Sequence, residues 1–99
     1  MAELRLTNGS GKVLEVRIEP WGEDYWMRPG DEFTIGYDDA NHDEKMMGGP
    51  HFDVTFHGGW YEVWVGSSDM GLRMRDQSGA ELEHGHQRPI DPADSFGTQ

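Results

Sequence analysis

Apolar and polar residues alternate position by position in seven short runs of this chain, and a period of two confines those runs to β-strands with one buried face. Leu14, Val16 and Ile18 stand opposite Glu15, Arg17 and Glu19. The same alternation places Leu4 and Leu6 on one face, then Tyr25 and Met27, then Phe33, Ile35 and Tyr37. It resumes with Phe52, Val54 and Phe56, with Tyr61, Val63 and Val65, and with Met70, Leu72 and Met74. A last short strand is expected over 80–83, around Leu82. Turn residues separate the runs. Asn8-Gly9-Ser10-Gly11 predicts a tight turn that pairs the first two strands. Pro20 ends the second, since it has no amide hydrogen for a ladder. Pro29-Gly30 fits the centre of a type II turn, and Gly58-Gly59 a two-residue hairpin. The short run between Pro20 and Pro29 therefore reads as an edge strand held between two sharp turns.

Seven to eight short strands with turns every eight to twelve residues predict an all-β fold, a small antiparallel β-sandwich, with a small β-barrel as the alternative. The stretch 38–50 has no sustained periodicity and reads as a long loop, with one turn of helix around Asp43 to Met47. It divides the chain, so the sandwich is expected to pack a front half ending at Tyr37 against a meander from Phe52 to Leu82. Ninety-nine residues suffice for one domain, expected over 1–84, with 85–99 as a flexible tail.

The run into Glu19-Pro20-Trp21-Gly22-Glu23, followed by Pro29-Gly30-Asp31-Glu32-Phe33-Thr34-Ile35, resembles small bacterial all-β proteins with an E-P-W-G-E turn and a restart after P-G-[DE]. The same opening strands are similar to those of immunoglobulin-like or cupredoxin-like sandwiches. The resemblance implies a sandwich and brings no activity with it. It implies no copper either, because the chain has no cysteine to act as a ligand.

The absence of cysteine also excludes disulfides, zinc–thiolate sites and thiol nucleophiles. No serine lies in a G-x-S-x-G context, and no glycine-rich segment matches a phosphate or dinucleotide loop. The expectation is therefore a protein that is not an enzyme and needs no cofactor. Nineteen acids against eight bases give a formal charge of −11, with ten acids and two arginines between Glu15 and Glu44. Such a field repels nucleic acid and anionic membranes and attracts a basic protein partner; its simpler role is to keep the protein soluble. No apolar run approaches the roughly 20 residues of a membrane helix, and Met1 to Arg5 lacks the features of a signal peptide, so a cytoplasmic protein is expected.

Two constellations stand out. If Tyr61, Val63 and Val65 face the core, Trp60 and Trp64 face outward together. The same parity sends out Trp26 with Arg28, and Arg73 with Arg75, and neighbouring strands would gather these six into a patch suited to protein recognition. The alternative is that the face packs under the acidic loop or tail, or that each arginine simply covers its own tryptophan. Secondly, His51 and Asp53 lie about 7 Å apart on one strand face, with His57 further along, and Glu62 or His42 able to complete a metal site. The acidic run 38–44 lacks the glycine and terminal glutamate spacing of an EF-hand loop. Three functions follow: an acidic binding or inhibitory module working through the tryptophans, a metal-dependent site at His51, Asp53 and His57, or a structural subunit lending an edge strand to an assembly.

Overall fold

A computed structural model describes residues 1–68 and 71–89, and the predicted alternation becomes strand wherever it was strongest. The strands are β1 (Ala2–Thr7), β2 (Leu14–Glu19), β3 (Glu23–Met27), β4 (Glu32–Tyr37), β5 (Phe52–Phe56), β6 (Trp60–Val65) and β7 (Arg73–Arg75). They form two sheets, ordered β1-β4-β7 and β3-β2-β6-β5. The fold is an all-β sandwich. Between the sheets lie Leu6, Val16, Ile18, Tyr25, Met27, Phe33, Ile35, Tyr37, Val63, Val65 and Met74, all buried, and each is a residue that the alternation points inward. Burying one such side chain is worth about 1.5–3 kcal/mol, so this layer supplies most of the drive to fold.

The pairing differs from the sequence expectation in three ways. First, β1 does not pair with β2; it runs antiparallel to β4, while β2 joins the other sheet. The reason is Asn8. Its side chain is buried, donates to the carbonyls of Lys12 and Met27 at 2.7 and 3.0 Å, and accepts from Ser10. Asn8-Gly9-Ser10-Gly11 is thus a corner carrying the chain from one sheet to the other. Secondly, the sheets are not the two sequence halves: β2 pairs in parallel with β6, the one parallel ladder among the described residues, and β4 pairs antiparallel with β7. Thirdly, 80–83 forms no full strand. Arg75 and Glu81 make one bridge, and the Leu82 amide bonds the Met74 carbonyl at 2.8 Å. Met70 lies outside the described residues.

Residues 85–89, expected to be part of a flexible tail, lie instead along the free edge of β3. Gly85 donates its amide to Asp24 O at 2.7 Å, and the Trp26 amide donates to His86 O at 2.9 Å. The Gln87 side chain donates to Trp26 O and to the Asp31 carboxylate. The remainder of that expected tail, 90–99, lies outside the described residues.

The turns follow their residues. The Asp31 amide bonds Arg28 O across Pro29-Gly30 at 3.0 Å, with Gly30 at φ +86°, as a type II turn requires. The 38–50 loop holds two short 3-10 turns, Asp39–Asn41 and Met46–Gly48. It is tied down where it returns to the sheet. Tyr37, buried, lies with its hydroxyl 2.9 Å from His42 Nδ1 and 2.7 Å from His51 Nδ1. His42 Nε2 is 2.9 Å from the Gly49 carbonyl, which can only accept. With neutral rings this sets the direction: His51 donates to the Tyr37 oxygen, Tyr37 donates to His42, and His42 donates to Gly49. Among the described residues no helix is long and apolar enough to cross a membrane.

Removing the hydroxyl at the centre of that chain leaves two imidazole nitrogens without their partner. Tyr37→Phe is expected to lower stability by about 1–2 kcal/mol, roughly one to two net hydrogen bonds. Urea denaturation checks this, with an unchanged slope marking a folded-state effect; an unaltered midpoint would show that the Tyr37 hydroxyl does not hold the loop.

Candidate functional site: the outer face of the four-stranded sheet

The residues that alternate with the core line the outside of the β3-β2-β6-β5 sheet. Register sets their neighbours, because paired residues share a face. Trp26 on β3, Glu15 on β2 and Trp60 on β6 form one row across the sheet. Asp24, Arg17, Glu62 and Thr55 form the next, and Glu19, Trp64 and Asp53 the third. Three indoles thus stand on one face among five carboxylates and one arginine.

Two of the indoles are fixed by an acid two residues earlier on the same strand. Trp26 Nε1 donates to Asp24, and Trp64 Nε1 donates to Glu62, both at 2.7 Å. Their only polar atoms are therefore occupied, and what they present outward is ring surface. Trp60 is held differently: the Arg17 guanidinium lies 5.0 Å from its ring centre and the His57 imidazole stacks on it at 4.2 Å. Arg17 also donates to Glu15 at 2.9 Å, and His57 Nε2 lies 3.0 Å from Glu62. Arg17, Glu19, Trp60, Glu62 and Trp64 enclose a shallow depression of ≈230 Å³. Neither the 38–50 loop nor residues 84–89 lines it, and the three tryptophans are half-buried.

Electrostatics harden the acidic character. Arg88 donates to Asp24 and, with the Trp26 indole, holds its carboxyl down from 3.8 to about 2, against the opposing effect of burial. Hydrogen bonds from Trp64 and then His57 hold the Glu62 carboxyl below its ordinary value.

The six residues expected to form one patch separate into three groups. Trp26, Trp60 and Trp64 share one sheet face, Trp60 and Trp64 lining the depression and Trp26 standing two strands away. Arg28 is exposed beyond the end of β3, at the Pro29-Gly30 turn. Arg73 and Arg75 sit on β7, in the other sheet, where Arg75 bonds Glu3 and Arg73 lies 3.7 Å from Glu81. Parity alone could not reveal this, because it says which face of a sheet a residue takes and not which sheet. The cation beside the tryptophans is Arg17 instead. The alternation turned it outward, but only the parallel β2–β6 ladder brings it to Trp60.

The proposed metal ligands are also dispersed. His51 precedes β5 and turns to Tyr37 and His42, its ring 4.0 Å from that of His42. Asp53 points out beside Trp64, and His57 stacks on Trp60. Among the described residues, no group of three His, Asp or Glu side chains is placed to hold a metal ion. Comparison with family models, curated proteins and solved structures returned no match for this chain.

The Arg88–Asp24 pair clamps 84–88 beside Trp26, and its pH dependence has a definite sign. Asp24 is depressed in the folded state, so its contribution is full above the ordinary aspartate value and is lost as pH falls through about 2. Arg88→Ala is expected to raise the Asp24 pKa and to move acid release of 84–88 to higher pH. Carboxyl NMR titration reads the first and the His86 and Trp26 amide shifts the second; an unmoved Asp24 titration would contradict the assignment.

Proposed function

We propose that this chain is a non-enzymatic acidic binding module that recognises a basic protein partner through Trp26, Trp60 and Trp64. The observation that supports it most is the pairing of two of the three indoles with an oriented carboxylate, while Arg17 and His57 hold the third, Trp60. Trp26 and Trp64 stand beside carboxylates that their own N–H groups orient, so aromatic surface and negative charge alternate over one sheet face. A lysine or arginine side chain laid on such a face meets a ring and a carboxylate together, combining cation–π attraction with an ion pair. The acidic field of the whole chain would steer that partner in, and the rings would supply the desolvated contacts that dominate affinity. A depression of ≈230 Å³ suits one inserted side chain, being smaller than the roughly 300–1,000 Å³ of small-molecule sites.

The test compares the wild-type chain with Trp60→Ala/Trp64→Ala, each immobilised and exposed to lysate of the source cells. A partner held by the wild type, released by salt and held about thirtyfold or more weakly by the double variant is the expected result, since one hot-spot ring alone is worth about 2 kcal/mol. The double variant is expected to keep its circular dichroism spectrum. Identical retention by both chains contradicts the reading, and so does unfolding of the variant, which would make these rings part of the core.

A further inference from the structure

Four strand edges close the two sheets, and three are defended. Residues 85–88 cover β3, and 80–82 cover β7. The edge of β1 carries exposed charges at Glu3 and Arg5, which discourage pairing. The fourth, β5, is covered by no segment among the described residues and carries a single charge, Asp53. It contains no proline, glycine or lysine, and among the described residues only β6 pairs with it. It is also the fourth strand facing a sheet of three, so its inner side chains overhang the core. Val54 is 37% exposed and Phe56 52% exposed, although the alternation turns both inward.

The ladder to β6 shows which backbone groups are free. The Gly66 amide bonds His51 O, and the His57 amide bonds Trp60 O, both at 2.8 Å. His51 and His57 therefore direct their backbone groups at β6, and so do Asp53 and Thr55 at the same parity. The N–H and C=O groups of Phe52, Val54 and Phe56 point the other way, to the open edge.

The sequence around that edge is nearly a palindrome. His51-Phe52-Asp53-Val54-Thr55-Phe56-His57 reads almost the same in both directions about Val54. We infer that β5 pairs antiparallel with β5 of a second copy of this chain, with Val54 on the two-fold axis. In that register Val54 meets its own equivalent, Phe52 meets Phe56, Asp53 meets Thr55, and no like formal charges stand opposite at neutral histidine. It is also a register in which all three outward pairs of N–H and C=O groups find partners, because Val54, Phe52 and Phe56 are the residues whose backbones face out. Cross-strand aromatic pairs add to the ladder.

Charge allows it. A chain of −11 repels its copy, but Asp53 is the single acid on β5, and in this register it meets Thr55 rather than another acid. The product is a continuous eight-stranded sheet. Because paired residues share a face, both tryptophan faces lie on the same side of it.

Analytical ultracentrifugation of the full chain tests this over a dilution series, with amide exchange beside it. Expected for the wild type is a concentration-dependent species of twice 11.2 kDa, in which Phe52, Val54 and Phe56 amides gain protection while Asp53 and Thr55 are protected in either state. Val54→Lys sets two like charges against each other and is expected to abolish the dimer while keeping the Asp53 and Thr55 protection that marks a folded β5–β6 hairpin. Mixing Val54→Lys with Val54→Glu is expected to restore a dimer, because residue 54 meets residue 54. A wild type that stays at 11.2 kDa throughout overturns the inference, whether the edge then stays open, is filled by 90–99 or takes a strand from another protein. A dimer that survives Val54→Lys, or one that the mixture fails to restore, overturns it as well.

Discussion

Strand β2 is the structure's axis, and its parallel ladder with β6 is the contact on which the rest depends. Its inward residues Val16 and Ile18 are fully buried, and the strand is hydrogen-bonded on both sides, antiparallel to β3 and parallel to β6. A parallel neighbour cannot come from a hairpin; the chain must cross over between the two strands. Here it does so through the other sheet, by way of β4 and the 38–50 loop. That crossover carries β4 into the other sheet, where it pairs with β1 brought across by the Asn8 corner, and so completes the sandwich. It also sets Arg17 against Trp60 on the outside, while Ile18 and Val63 pair on the inside. Core and candidate site are two faces of one register.

The buried polar groups serve the same plan. Asn8 replaces backbone partners at the corner between sheets, and Tyr37 ties the returning loop through His42 and His51. Gly66 lies within this knot: a Cβ there would stand 2.4 Å from Pro50 O and 3.2 Å from the His42 ring. Only glycine lets the end of β6 and the loop approach so closely. These contacts hold the crossover in place, and through it the parallel ladder.

Local features were legible in the sequence, and long-range ones were not. Parity placed Val16, Ile18, Phe33 and Val63 inside and Trp60 and Trp64 outside, because a period of two is a property of single strands. The turn at Pro29-Gly30 followed from residue chemistry in the same way. Which strand neighbours which depends on contacts distant in the chain, and no local signal distinguishes β1 beside β2 from β1 beside β4. The scattering of Arg73 and Arg75 away from the tryptophans has that origin, whereas Arg28 simply falls past the end of β3. His51 illustrates a second limit: its backbone continues the ladder to β6, but its ring turns to Tyr37 and His42 rather than towards Asp53, and parity does not say where a long side chain at a strand end reaches. One further local signal lies in the sequence itself. An acid two residues before a tryptophan, in Asp24-Tyr25-Trp26 and again in Glu62-Val63-Trp64, already places carboxylate and indole on the same strand face.

The absence of cysteine makes the parallel register directly measurable, since an introduced pair of thiols has no competitor. Arg17 and Glu62 are neighbours across β2 and β6 on the outer face, and Thr55 is the next residue along that row. Adjacent strands put Cα atoms about 5 Å apart, within disulfide range, whereas two strands away the separation is about 10 Å and no bond can form. The measurement is the rate of oxidative cross-linking in Arg17→Cys/Glu62→Cys against Arg17→Cys/Thr55→Cys, read by mass spectrometry under native conditions. Rapid bonding of the first pair with none in the second is the expected result. Failure of the 17–62 pair to close, or preferential closure of 17–55, would contradict the β2–β6 ladder and with it the tryptophan face.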